Sequence, residues 1–239
     1  MQVALPGESR YFKREGFCSG ALDAPIHHLP ATDMHPSHVH MAPPVRKHEL
    51  KKRKEPQFAS IGLIDMGHTP DTVLRVVAAN VQTMFEVRVD TLAPMSIPED
   101  ALQLHRGQYD AGLILKHLSR LSFSGHPRIL AITDVDLCSP VLTYVFGEAQ
   151  MGAKSAIVSD FRLRESGDGA RAPSAVYYER IVKVALHEIA HTLSLYHCET
   201  PGCLMQMSPG TGDLDKLNIY FCDRCSFVLH RNMKEFRNK

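Results

Sequence analysis

The sequence lacks any apolar run approaching the roughly 18 residues of a membrane-spanning helix, which argues against an integral membrane protein. Its N-terminus, MQVALPGESRYFKREGFCSG, lacks the continuous apolar core of a secretory signal peptide. An excess of one charge is also lacking, because 27 basic and 26 acidic side chains leave a formal net charge of +1. No overall electrostatic attraction to nucleic acid, a membrane surface or an acidic partner is therefore expected. We expect a cytoplasmic protein with reduced thiols.

Residues 1–56 differ in composition from the rest of the chain. They are rich in proline, hold six of the 14 histidines and contain the basic run VRKHELKKRK near their end. Because they show neither helical nor strand periodicity, we expect a disordered extension, with a metal-scavenging tract or a basic docking tail as functional alternatives. Residues 57–239 have the length and mixed composition of one globular domain.

From residue 57 onward, apolar runs and helical spacings alternate along the chain. The predicted strands lie at 58–65, 85–90, 126–137, 141–150 and 153–161. The predicted helices lie at 69–85, 109–122 and 175–193. The strands and helices first alternate, and a pair of strands then follows. This order predicts an α+β domain with a mixed sheet.

Three residues have the chemistry of helix N-caps. Thr69 precedes Pro70, which is predicted at the first helical position, and Asp110 and Ser174 precede the second and third helices. The third helix carries an apolar stripe at helical spacing, which we assign to the core. The stripe consists of Val182, Leu186, Ile189 and Leu193.

Two histidines of the third helix lie four residues apart in the motif HEIAH, at 187–191. Side chains at this spacing lie on one face of a helix, so His187 and His191 can reach the same metal ion. Glu188 is rotated by about 100 degrees from His187 and flanks that ion. HExxH is a zinc motif, with two ligands and a glutamate placed to act on water bound to the metal. The alternative is a pair of surface or core histidines.

A third histidine, His197, follows six residues after His191, where the apolar pattern ends. If the chain leaves the helix near Ser194, it can turn back and present a third imidazole. Three neutral ligands leave Zn²⁺ with its full charge and one open position for water. This spacing therefore favours a catalytic zinc site over two unrelated histidines.

Four of the six cysteines fall within 28 residues near the C-terminus. They are Cys198, Cys203, Cys222 and Cys225. Four thiolates form the closed tetrahedral site typical of structural zinc, so two Zn²⁺ ions are predicted per chain. The alternatives are disulfides or a redox pair in CDRC, which would leave Cys198 and Cys203 unexplained. Met205 is a candidate for the apolar floor of the histidine site, or else a gap filler in the core.

The combination of HEIAHTLSLYHC, CLM and CDRC is similar to the signature of the archaemetzincins, a family of metzincin-type zinc metallopeptidases. The similarity spans about residues 57–239 and includes SIGLID and VFGEAQ. It implies a metzincin-like fold, with a twisted mixed sheet and an active-site helix in 57–197 and a small zinc-binding subdomain in 198–239.

The resemblance also implies a role for each motif residue. His187, His191 and His197 would bind the catalytic zinc, and Cys198, Cys203, Cys222 and Cys225 the structural zinc. Glu188 would be the general base and acid, and Met205 the Met-turn methionine. One position departs from the metzincin pattern, which has glycine where this chain has Ser194. Glycine eases a sharp exit from the helix, and another residue costs on the order of 1 kcal/mol there. If this substitution causes a defect, we therefore expect it to be a weaker affinity for the catalytic zinc.

The predicted activity is hydrolysis of peptide bonds by a zinc-activated water, with Glu188 as general base and acid. An extended substrate is expected to pair with an edge strand near 153–159. One alternative, motivated by Ser194, is a zinc-stabilised peptide-binding module with impaired catalysis. Nucleic-acid binding through the cysteine cluster and the basic run is disfavoured, because 198–225 carries more acidic than basic residues. We expect the protein to be a monomer that acts on a peptide or protein substrate. Neither nucleic acid nor a membrane is expected as a partner.

Overall fold

The computed structural model describes residues 60–166 and 169–237, and the predictions for 1–56 lie outside this range. The strands are β1 (Ser60–Asp65), β2 (Arg88–Thr91), β3 (Leu102–Gln103), β4 (Gln108–Asp110), β5 (Arg128–Thr133), β6 (Leu137–Cys138), β7 (Gly147–Ala149) and β8 (Ser155–Ser159). The helices are α1 (Asp71–Phe85), α2 (Ala111–Ser119), α3 (Ser174–Thr192), α4 (Thr211–Leu214) and α5 (Asp223–Arg237). None of the helices in the described ranges is long and apolar enough to cross a membrane.

The main sheet has five strands in the order β2-β1-β5-β8-β7. The first four run parallel, and β7 pairs antiparallel with β8, so the predicted mixed sheet is confirmed. The prediction of an edge strand at 153–159 was wrong. That segment forms β8, which lies between β5 and β7, and all of its residues are buried, as expected for an interior strand covered on both faces. The edge beside it is β7.

Helices cover both faces of this sheet, because successive apolar side chains along each strand point to opposite faces. On β1, Ile61 and Leu63 join the core shared with α1 and α3, whereas Ile64 joins the core shared with α2. The predicted stripe of α3 lies in the larger core, where all four of its side chains are at most 4% exposed. The face of α3 that carries the histidines is thereby turned away from the sheet core.

Two parts of the fold were not predicted. Strands β3, β4 and β6 form a separate three-stranded sheet, and each has only two or three residues, too few to show a period. Helix α5 ends the described chain and buries Leu229, Met233 and Phe236 in the larger core. It begins within the CDRC motif, so the second pair of cysteines lies at a helix N-terminus.

Of the three predicted N-caps, only Asp110 is confirmed, and its carboxylate accepts a hydrogen bond from the backbone N–H of Leu113 at 3.0 Å. The cap of α1 is Pro70 and the cap of α3 is Pro173, both with extended ψ angles (138° and 143°). The predicted cap Thr69 therefore lies one residue before the observed cap. The predicted cap Ser174 lies one residue after the observed cap. In both cases the proline holds its fixed φ just outside the helix.

Candidate active site

Helix α3 brings the first two imidazoles together, with their Nε2 atoms 3.0 Å apart. The Nδ1 of His187 donates to the carbonyl of Leu204 at 2.8 Å, and that of His191 to the carbonyl of Leu195 at 2.6 Å. Because a carbonyl oxygen only accepts, each Nδ1 carries the proton and each Nε2 keeps its lone pair. Both lone pairs are therefore available to one shared ion.

The third imidazole arrives through a tight turn at the end of α3. Ser194 N–H donates to the carbonyl of His191 (2.9 Å) and Leu195 N–H to that of Ala190 (3.0 Å), the pattern of a Schellman motif. Ser194 has a φ of +64°, in the left-handed region where glycine is favoured. The predicted helix exit near Ser194 is thus confirmed, and His197 Nε2 comes to 3.3 Å from His191 Nε2.

The distances and protonation of these imidazoles suit a zinc ion. Tetrahedral ligands at about 2.0–2.1 Å from zinc would lie roughly 3.3 Å from one another, close to the separations found here. Burial, followed by the neighbouring His191, lowers the pKa of His187 to about 3. Burial also lowers the pKa of His191 and of His197. All three rings are therefore neutral at pH 7, the state in which histidine binds a metal.

Glu188 lies beside the histidines and is only 7% exposed. A Cβ atom added to Gly147 on β7 would lie 2.7 Å from Glu188 Cγ, so this glycine allows the glutamate to pack against the edge strand. Burial, and to a lesser degree the charge of Glu148, raises the pKa of Glu188 to about 8. A carboxyl group with such a pKa can both accept and release a proton near neutral pH.

The four cysteines also come together, with all their Sγ atoms within 4.8 Å of one another. Cys198 and Cys222 Sγ are 3.7 Å apart, and thiolates at about 2.3 Å from a tetrahedral zinc would be roughly 3.8 Å apart. The backbone N–H of Cys225 lowers the pKa of Cys222 to about 6, whereas burial raises the pKa of Cys203 and of Cys225. The separations of the four Sγ atoms fit one structural zinc ion.

The structure weakens the redox interpretation of CDRC. The motif does lie at the start of α5, but no strand precedes it within residues 204–222. Cys198 and Cys203 also share its thiol cluster, which a dithiol redox pair does not require.

Met205 is fully buried, and its carbonyl accepts a hydrogen bond from the backbone N–H of Cys198 at 2.9 Å. This bond joins Met205, which lies between the two pairs of cysteines, to Cys198, the residue that follows His197. The role of the Met205 sulfur as a floor beneath the imidazoles stays a prediction.

A cavity of about 320 Å³ opens next to His187, Glu188 and His197. Apolar side chains make up most of its remaining wall, which also includes Lys183 from the preceding turn of α3. This cavity could not be predicted from the sequence, because its other wall comes from residues within 142–147 and 204–217. The carbonyls of Leu195 and Leu204 could not be predicted either, since every residue has a backbone carbonyl and a residue pattern does not show which one contacts a histidine.

Comparison with known proteins agrees with this geometry. The model of peptidase family M54 matches residues 71–231. The archaemetzincin of Haloquadratum walsbyi is 33% identical over 173 residues, which cover 71% of this chain and 99% of the relative.

Solved structures show the same similarity. The crystal structure of the archaemetzincin of Methanopyrus kandleri has a TM-score of 0.67 at 31% identity and covers 74% of this chain and 97% of its own. A zinc-dependent peptidase from Methanocorpusculum labreanum has a TM-score of 0.64 at 30% identity and covers 71% and 99%. The chain therefore belongs to peptidase family M54 and is, like the archaemetzincins, a zinc metallopeptidase.

Proposed function

We propose that the protein hydrolyses peptide bonds with a catalytic zinc held by His187, His191 and His197 and with Glu188 as general base and acid. The observation that most supports this is the convergence of three neutral imidazole nitrogens at the spacing of tetrahedral zinc ligands. Two of the imidazoles are already oriented by backbone carbonyls, which lowers the cost of assembling the site.

Bound at this position, zinc would polarise the scissile carbonyl and lower the pKa of a water towards about 7. Three neutral ligands leave the ion's double positive charge uncompensated. That charge would favour the ionised form of Glu188, whose pKa is otherwise raised by burial. Glu188 then takes a proton from the attacking water and delivers it to the leaving amine.

The substrate backbone would bind at β7, the edge of the main sheet beside the histidines. An extended peptide that pairs with this strand gains backbone hydrogen bonds that depend little on its sequence. Gly147 is the first residue of β7 and packs on Glu188, so a paired peptide would pass close to the proposed general base.

We also propose a structural zinc ion, bound by Cys198, Cys203, Cys222 and Cys225. A site of four thiolates requires reduced cysteines, which supports a cytoplasmic location. We further infer that the protein acts as a monomer on peptides or proteins, without a nucleic-acid partner.

The zinc content per chain tests this assignment. Elemental analysis of the chain from Gln57 onward, without the six histidines that precede it, should give two zinc ions. His187→Ala should retain one of them, and Cys222→Ser should lose the structural ion. A single ion that persists in His187→Ala but disappears in Cys222→Ser would instead favour the peptide-binding module with impaired catalysis.

Glu188→Gln tests the proposed base separately. This variant should keep both zinc ions and bind peptides but lose turnover, because the amide cannot accept a proton from water. Unchanged turnover with both ions in place would exclude Glu188 as the general base.

A further inference from the structure

The peptide unit between Leu193 and Ser194 sets the direction in which the chain leaves α3. The Ser194 N–H at one end of this unit donates a hydrogen bond to the carbonyl of His191 at 2.9 Å. The Leu193 carbonyl at the other end accepts a hydrogen bond from the side-chain amide of Asn232 on α5, at 2.7 Å. Because a peptide unit is planar, two bonds at opposite ends fix its orientation. The turn is thus held once from within α3 and once from α5.

This orientation matters because Ser194 has a φ of +64°. A residue with a Cβ atom favours negative φ, and rotation of the preceding peptide unit would release Ser194 from the left-handed region. Such a rotation changes the path of the chain three residues before His197. The imidazole of His197 would then leave its position 3.3 Å from His191 Nε2.

The neighbouring carbonyls of α3 have donors of their own. Gly152 N–H donates to the carbonyl of His191 at 2.9 Å, and Arg128 Nε donates to that of Thr192 at 3.1 Å. Both of these carbonyls belong to residues whose backbone is already helical. Leu193 lies just outside α3, so its carbonyl needs a partner from elsewhere in the chain. The donor on α5 therefore acts on the part of the turn that the helix itself does not fix.

Helix α5 is anchored on both sides of Asn232. Cys225 lies seven residues earlier, which is about two helical turns and nearly the same face, and its thiol belongs to the cysteine cluster. Met233 and Phe236 are buried in the larger core. The amide that holds the turn is therefore carried by a helix whose position is set by the core and by the four-cysteine cluster.

We propose that Asn232 is a positioning residue for His197, which acts by holding the peptide unit between Leu193 and Ser194 in the orientation that zinc binding requires. The inference rests on the proposed catalytic zinc site and adds a residue outside its ligand set. Without this hydrogen bond, the peptide unit rotates in part of the metal-free molecules. Zinc then binds only the remaining fraction, and its apparent affinity falls accordingly.

The affinity of the histidine site tests this role. In the full chain, competition with a chromophoric chelator gives the affinity of the zinc ion that is lost in His187→Ala. Asn232→Leu removes the donor and should weaken this affinity about three- to tenfold, the size of one neutral hydrogen bond. Asn232→Gln keeps an amide donor and should lose less. Arg237→Met is the matched control, because it removes another hydrogen bond of α5, to the carbonyl of Phe85 at 2.8 Å, and should leave the zinc affinity unchanged.

A second background separates positioning of the turn from packing of α5. Glycine adopts positive φ about as readily as negative φ, so the turn in Ser194→Gly depends less on an outside donor. In this background Asn232→Leu should weaken zinc binding by less than about twofold. If Asn232 only docks α5, its loss has the same effect in both backgrounds, and that result would overturn the proposal.

Hydrogen exchange provides a readout that does not require zinc. In His187→Ala, the amide hydrogen of Ser194 should exchange about three- to tenfold faster when Asn232→Leu is added and at an unchanged rate when Arg237→Met is added. A wild-type protein without a zinc ion that depends on His187 would contradict the proposed function, while the exchange rate would still decide the role of Asn232. An unchanged zinc affinity or an unchanged exchange rate in Asn232→Leu would overturn the proposal. If Asn232→Leu does not fold, Asn232→Ala takes its place in both measurements.

Discussion

Replacing Ser194 by glycine should stabilise the protein, because this residue adopts a φ of +64° at the end of α3. The left-handed conformation costs a residue with a Cβ atom about 1–2 kcal/mol. Glycine removes that cost but adds about 0.5–1 kcal/mol of entropy to the unfolded chain. The net gain in the free energy of unfolding should therefore be about 0.5–1 kcal/mol, or a rise in Tm of about 2 °C for a domain of this size.

The same substitution should affect the proposed catalytic zinc, since the turn at Ser194 carries His197 into the site. If instead the metal-free turn relaxes away from the strained conformation, the strain appears only when zinc binds, and glycine should raise zinc affinity roughly two- to fivefold in place of the gain in stability. Denaturant unfolding followed by circular dichroism measures the stability. Competition with a chromophoric chelator measures the affinity of the histidine site.

Glu86→Gly is the matched control. Glu86 also has a positive φ of 49°, but it ends α1 and lies outside both metal clusters. Its ion pair with Arg237 is exposed and contributes little, so glycine should stabilise the fold here as well, without changing zinc affinity. If Glu86→Gly stabilises the protein while Ser194→Gly changes neither the stability nor the zinc affinity, the turn at Ser194 is not strained and the argument from its φ angle fails.

Two further predictions concern packing and charge. Gly147→Ala should displace Glu188, because the new Cβ would lie 2.7 Å from Glu188 Cγ, and should lower kcat by about tenfold or more. Gly212→Ala is the control: its Cβ would have no atom within 4 Å, so kcat should be unchanged in the same assay. Arg180→Met should lower the free energy of unfolding by about 2 kcal/mol in urea titrations, because it leaves Asp215 and two carbonyls without their donor. The hydrogen bond from Arg180 lowers the pKa of Asp215, so the pair stabilises the fold above pH about 4 and loses this effect as the pH falls further. The free energy of unfolding of Arg180→Met should therefore depend less on pH below about 4 than that of the wild type. An identical pH dependence would contradict the assignment.

The residues that the structure brings together as predicted are close to one another along the chain. His187 and His191 meet because residues four apart share a face of α3, whatever surrounds the helix. The exit at Ser194 was predicted because the apolar pattern stops there and His197 follows closely. The cysteine cluster was predicted because its four members are close in sequence and share one chemistry.

The errors and omissions concern elements that meet only in three dimensions. Residues 153–159 read as an edge strand, but their neighbours β5 and β7 are set by the order of the whole sheet. The short strands β3, β4 and β6 carry too few residues for a periodic signal. Two N-caps were predicted one residue away from their observed positions, because a proline and a neighbouring polar residue are both suited to the start of a helix.

The sequence by itself determined the chemistry of this protein, because the histidines, the glutamate and the cysteines stand at spacings that local backbone geometry converts directly into ligand clusters. Only the tertiary structure decided which strand lies at the edge of the main sheet and how Glu188 is desolvated. Burial and strand order depend on segments far apart in the chain, such as β7, α3 and residues 204–217, and their approach is governed by packing of the whole core. The pKa of Glu188 and the shape of the cavity follow from that packing, and no local pattern encodes them.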